Sequence, residues 1–184
     1  TNIPWKNYAS QVKQVYFSNR IFPVTTAEWF ANMVNLEYFN LDTNYYLDTS
    51  RVQDFTGMFR NCTSLRGMND GMSGIRPFSY LRTRSARTLK DMFKGCTSLA
   101  YFYWNDDSNG QTNWDTRYVE DVSGMFEGCV ALEYIWIRAS NDTYMTFERC
   151  KNWARMFKGC ERMTGFNRDG SNSTQTFDLR TFDN

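Results

Sequence analysis

The chain has 184 residues, the length of one domain. Its 21 basic and 20 acidic residues leave a net charge of +1, without the basic surplus of a dedicated nucleic-acid binder. Histidine is absent, which excludes Ser-His-Asp and Cys-His catalysis and every His-ligated metal site. No apolar run approaches the ~20 residues of a membrane span.

Residues 1–28 read as an N-terminal capping segment, because Val12, Val15 and Phe17 match the apolar spacing of strands found later in the chain. Residues 29–166 then divide into five repeats. Met58-Phe59-Arg60-Asn61-Cys62-Thr63-Ser64-Leu65 recurs as Met92-Phe93-Lys94-Gly95-Cys96-Thr97-Ser98-Leu99. It returns as Met125 to Leu132 and as Met156 to Met163, with a weaker first copy at Trp29 to Leu36. The phenylalanines at 30, 59, 93, 126 and 157 are separated by 29, 34, 33 and 31 residues. A period of this length means stacked units, none of which can bury its apolar face alone.

Within each unit, Val52, Phe55 and Phe59, repeated as Val119, Val122 and Phe126, predict one face of a short helix. Ser50-Arg51-Val52-Gln53 fits a capping box at the start of such a helix. Two residues after each Phe stands Asn32, Asn61, Gly95, Gly128 or Gly159. A column of only Asn and Gly predicts a left-handed backbone that ends the helix. A short strand follows, with one apolar column at Leu36, Leu65, Leu99, Leu132 and Met163. A second runs through Phe39, Met68, Phe102, Ile135 and Phe166. Six such strands side by side, the capping strand included, predict a parallel sheet. Polar loops from Asp70, Asn105, Arg138 and Asn167 should protrude together. Residues 167–184 read as a partial repeat or C-terminal cap, since Phe177 to Phe182 resembles Trp114 to Val119 and would start a sixth helix.

The fold class expected is therefore an α/β solenoid, a leucine-rich-repeat-like stack of helix–strand units with a parallel sheet face. Cys62, Cys96, Cys129 and Cys160 share one column and read as buried free thiols acting as small hydrophobes. Cys150 takes the apolar slot of Val52 and Val119. Ligands a full repeat apart do not converge on a tetrahedron, so no metal site is expected. No catalytic residue and no cofactor is expected either.

The repeat Asp-Thr-Ser-x-Val-x-Asp-x-Ser/Thr-Gly-Met-Phe-x-Gly-Cys-x-x-Leu, matched almost throughout by Asp48 to Leu65 and Asp115 to Leu132, resembles that of BspA-like bacterial surface proteins. These are a leucine-rich-repeat-like family also found in mycoplasma lipoproteins. The resemblance covers about residues 10 to 166 and departs from the pattern at Arg82 to Lys90. It implies a right-handed helix–strand solenoid, a location outside the cell or on its surface, and a role in adhesion or partner recognition. It carries no catalytic residues.

If Phe39, Phe102 and Ile135 point inward, strand alternation sends their neighbours outward. The expected partner-binding residues are Tyr16, Tyr38, Tyr101, Tyr103, Tyr134 and Trp136. Half-hidden, such rings would still expose on the order of 500 Å², which is large for an apolar patch on a monomer. The partner expected is a protein. A glycan, or docking into a larger extracellular assembly, are the alternatives.

Overall fold

The repeats differ in loop length but share a turn-and-strand pattern, and the hydrogen bonds between them explain why. The structure, a computed structural model, describes residues 3–39, 47–66, 78, 81–104, 114–137, 147–168 and 174–175. Residues 103–104, 136–137, 166–168 and 174–175 are described through their backbone. After a 3₁₀-helix at Lys6–Gln11 come β1 (Gln14–Val15), β2 (Tyr38–Phe39), β3 (Tyr101–Trp104), β4 (Tyr134–Ile137), β5 (Gly165–Arg168) and β6 (Thr174–Gln175). β1 and β2 form one parallel pair, with Gln14 opposite Tyr38. β3, β4 and β5 are parallel in a second sheet, and β6 closes it antiparallel to β5. The single parallel sheet of six strands expected from the spacing is thus two sheets among the described residues. Met68, the start of a sixth helix at Phe177, and the loops from Asp70, Asn105, Arg138 and most of that from Asn167 lie outside those residues.

The segments expected as short helices are not helical. In the second unit the N–H groups of Met58, Arg60 and Cys62 donate to the carbonyls of Phe55, Gly57 and Phe59, three residues back. The alternate N–H groups, of Gly57, Phe59 and Asn61, donate to Lys90, Met92 and Lys94 of the next unit. A helix would hold all these bonds within one segment, four residues apart. Here every second donor faces a neighbour. The same alternation recurs from Glu28, Phe30 and Asn32 to Thr56, Met58 and Arg60, and from Gly124, Phe126 and Gly128 to Ala154, Met156 and Lys158. Ser50 starts no helix either: its N–H bonds Asp48 Oδ1, the local turn that a short polar side chain offers its own backbone.

Positive φ makes the alternation possible. The Asn/Gly column is left-handed as its composition requires, with φ of 64° at Asn32, 61° at Asn61 and 74–76° at Gly95, Gly128 and Gly159. A second left-handed column, four residues earlier, holds Glu28, Gly57, Asp91, Gly124 and Arg155 at φ of 53–62°. Two reversals of hand within five residues exclude an α-helix. A third column, Thr25, Asp54, Thr88, Asp121 and Asn152, accepts the N–H two residues on into its side-chain oxygen, so the turn ribbon's first donor is also satisfied.

Bonds between units fix their spacing, and the side chains fill that spacing with rings. Phe30, Phe59, Phe93, Phe126 and Phe157 stand in single file, neighbouring centroids 5.4–5.7 Å apart and planes within 22° of parallel. Offset stacking at this distance adds about 0.5–1.5 kcal/mol per pair beyond area burial. A second file runs beside it: Phe39, Phe78 and Phe102 stack at 6.3 and 5.9 Å and meet the first file edge-on. Phe78, which belongs to no repeat motif, thus stands between Phe39 and Phe102, where the strand column led one to expect Met68. The Met and Leu columns are buried on either side, from Met58 to Met156 and from Leu36 to Met163.

Candidate functional site

The strand face is built by the register. Phe39, Phe102 and Ile135 are buried, which turns the alternate positions away from the core. Tyr101 is the register partner of Tyr134, and Tyr103 of Trp136. The rings of Tyr101 and Tyr134, both half-buried, lie with centroids 4.8 Å apart and planes inclined at 46°. The Tyr101 hydroxyl donates to Glu133 Oε2 at 3.2 Å, which ties the ring's polar end to the neighbouring unit. On the far side of Tyr134 the register partner is Gly165, which brings no side chain to that row. The side chains of Tyr103 and Trp136 lie outside the described residues.

The remaining two rings sit on the other sheet. Tyr38 is half-buried on β2 opposite Gln14. Tyr16, just past β1, is 68% exposed, and its hydroxyl donates to Gln14 Oε1 at 2.6 Å. The structure therefore brings Tyr101 and Tyr134 together, and places Tyr16 and Tyr38 with the separate β1–β2 pair.

The strand rows are pinned by side chains that the sequence reading passed over. Thr63 Oγ1 donates to the Val34 carbonyl, Thr97 Oγ1 to that of Thr63 and Thr164 Oγ1 to that of Glu133. These threonines stand just before or within the strand entries and repeat the backbone bonds beside them. They tie the first three units to one another and the fourth to the fifth, a role that a Thr in a turn does not announce. Between the units of Tyr101 and Tyr134, where Val130 takes the threonine's place, the Glu133 N–H donates to the Ala100 carbonyl.

The cysteine column has a more definite task than filling space. Cys62 donates its S–H to the Phe30 carbonyl, Cys96 to Phe59, Cys129 to Phe93 and Cys160 to Phe126, each at 3.1 Å. Each of these carbonyls also accepts the N–H three residues on in its own unit. The first unit carries Met33 at this position, which has no S–H to donate. Burial pushes the thiols of Cys62 and Cys160 up to about 12 and those of Cys96 and Cys129 well above their ordinary value. Protonated and inaccessible, they are poor nucleophiles and poor metal ligands. Cys150, half-buried against the core, donates weakly to Asn152. All five cysteines are free. Among the described residues no group of three or more Cys, Asp or Glu is placed to hold a metal ion, and no helix is long and apolar enough to cross a membrane.

The strand face so described carries two tyrosine rings in tilted contact on adjacent parallel strands. Comparison with known proteins finds no match among curated proteins or among solved structures. A family model matches residues 25–172, the stretch over which the Met-Phe units recur; the chain belongs to the family described as "Mycoplasma protein of unknown function, DUF285".

Proposed function

We propose that this chain is a non-enzymatic recognition module of the BspA-like kind, a right-handed leucine-rich-repeat-like solenoid that works at the cell surface or outside the cell. It binds a protein partner through the aromatic strand face and the loops that flank it. The single observation that carries the reading is the Tyr101–Tyr134 pair, two half-exposed rings in contact on adjacent, hydrogen-bonded strands. Tyrosine provides large contact area at low conformational cost, which is why it concentrates at binding hot spots. A rigid ladder beneath the rings supports this use, because rings already held in place lose little freedom on binding.

The test is a screen of the immobilised protein against an extracellular-protein array and a glycan array. A protein ligand held by the wild type and lost by Tyr101→Ala/Tyr134→Ala and by Tyr103→Ala/Trp136→Ala, with thermal unfolding little changed, supports the reading. Retention of that ligand by both variants removes the strand face as the site. Ligands found on the glycan array alone would replace protein recognition by sugar recognition.

A further inference from the structure

A second surface, away from the aromatic rows, gathers cations around one tyrosine. The guanidinium carbons of Arg87, Arg117 and Arg149 lie 5.3, 6.0 and 5.0 Å from the centre of the Tyr118 ring. Arg87 precedes the third unit's Phe93, Arg117 the fourth unit's Phe126 and Arg149 the fifth unit's Phe157, so only the stacking of units brings them together. Tyr118 itself is 38% exposed.

The charges in this cluster are unequally answered. Asp115, almost fully buried, holds Arg117 through both carboxylate oxygens. Glu120 is engaged by Lys151 at 3.5 Å. The Arg87 guanidinium donates to the backbone carbonyl of Tyr118, at 3.3 Å, and among the described residues Arg87 and Arg149 have no carboxylate within ion-pair distance. Both are exposed. The ring attracts each cation weakly at an exposed site, while the cations repel one another. The cluster thus presents two fork-shaped donors held near one ring with no carboxylate paired to them among the described residues.

We propose that Arg87 and Arg149 form an acceptor site for an acidic peptide segment of a partner protein, each arginine taking one carboxylate. Both guanidinium carbons lie within reach of one ring, so they are separated by no more than roughly 10 Å. Carboxylates on alternate residues of an extended chain stand about 6.7 Å apart, a span the two forks can straddle. Charge around the site argues for discrete carboxylates over a continuous polyanion: Glu120 and the exposed Glu148 border it, and the whole chain carries only +1. A sulfated polysaccharide would lay further anions onto those glutamates. The site is separate from the strand face and does not rest on its reading.

The experiment titrates a blocked hexapeptide with glutamates at its second and fourth positions into the full chain at low salt, followed by chemical-shift changes. Binding is expected that weakens about tenfold or more when the salt is raised from 50 to 500 mM. Arg87→Gln/Arg149→Gln should lose at least about tenfold in affinity, as expected when the cationic partner of each carboxylate is removed. Its melting temperature at low salt should be unchanged or higher, because a repulsion has gone; a purely structural cluster would instead melt lower. Tyr118→Leu should weaken the peptide severalfold and Tyr118→Phe should not. Absence of peptide binding, equal binding by the double variant, or tighter binding of a heparin-derived tetrasaccharide than of the peptide would overturn the proposal.

Discussion

Trp5 donates its indole N–H to the backbone carbonyl of Trp29, the carbonyl that in every later unit accepts the N–H of the preceding unit's phenylalanine. Its ring lies 6.2 Å from Phe30 and within 13° of parallel, extending the phenylalanine file by one member. One side chain thus supplies, at the first unit, both the donor and the ring that a preceding unit supplies to each later one. Units that contact only their neighbours need such a terminus, since a bare end leaves donors, acceptors and apolar surface without partners. Trp5→Ala should therefore destabilise the chain by about 2–3 kcal/mol, below the 3–5 of a fully buried Trp because Trp5 is only half-buried. Trp5→Phe keeps the ring and should lose about 1 kcal/mol for the hydrogen bond. Urea unfolding measures both: an undiminished Trp5→Phe would deny the indole N–H its part, and equal losses in the two variants would deny the ring its part.

The left-handed columns make a graded prediction. At Gly95, with φ of 74°, a Cβ would lie 2.5 Å from Asn61 Oδ1. That amide also donates through Nδ2 to Asn32 Oδ1 at 2.9 Å, so moving it disturbs a second unit. At Gly128, with φ of 75°, a Cβ would meet nothing closer than 3.8 Å. Gly128→Ala should cost the conformational penalty alone, about 1–2 kcal/mol, and Gly95→Ala about 1 kcal/mol more. Adding Asn61→Gly to Gly95→Ala should recover the difference. Chemical denaturation of the four variants, the double and Asn61→Gly included, closes the cycle.

What the sequence discloses follows from which residues are chemically restricted. A column of Asn and Gly announces positive φ, and the Phe column announces a continuous interior, because few residue types serve either purpose. The second left-handed column holds Glu, Gly, Asp, Gly and Arg, and such a mixture carries no signal; its first four members instead share an N–H donated to the next unit. Without it the offsets of Val52, Phe55 and Phe59 fit a helix as well as a turn ribbon. The strand face was legible by alternation at Tyr101 and Tyr134, but the Thr63, Thr97 and Thr164 bonds and the Tyr118 cluster depend on contacts between units about thirty residues apart. No local pattern encodes those contacts.

Phe78 gives that lesson an energetic form. It lies outside every Met-Phe motif, yet it stacks between Phe39 and Phe102 and meets Phe59 and Phe93 edge-on. Its backbone carbonyl accepts the N–H of buried Trp114 at 2.8 Å. Phe78→Ala should cost about 3–5 kcal/mol, as much as Phe93→Ala within the motif. Thermal and urea unfolding of the two variants side by side makes the comparison. A loss under about 1 kcal/mol at Phe78 would place the ring outside the core.

The thiol ladder predicts a specific alkaline weakness. Cys62 has an ordinary value near 9.0 once unfolded, and burial raises it to about 12 in the folded chain. The folded state retains a proton that the unfolded state releases, so this contribution is fully present below pH 9 and is lost as pH rises toward 12. Between those limits each such thiol should steepen the fall of stability by about 1.4 kcal/mol per pH unit. Cys62→Ala removes the S–H donated to Phe30 and should be less stable at pH 7 by about 1–2 kcal/mol. Its stability should nevertheless decline less steeply than the wild type's from pH 9.5 to 11, so the gap between the two narrows. Urea unfolding at half-unit pH intervals reads the slopes directly, and lysine and tyrosine titration cancels because both chains share it. Parallel curves over that range would mean that Cys62 ionises alike in the folded and unfolded chain, and that its place in the ladder rests on packing alone.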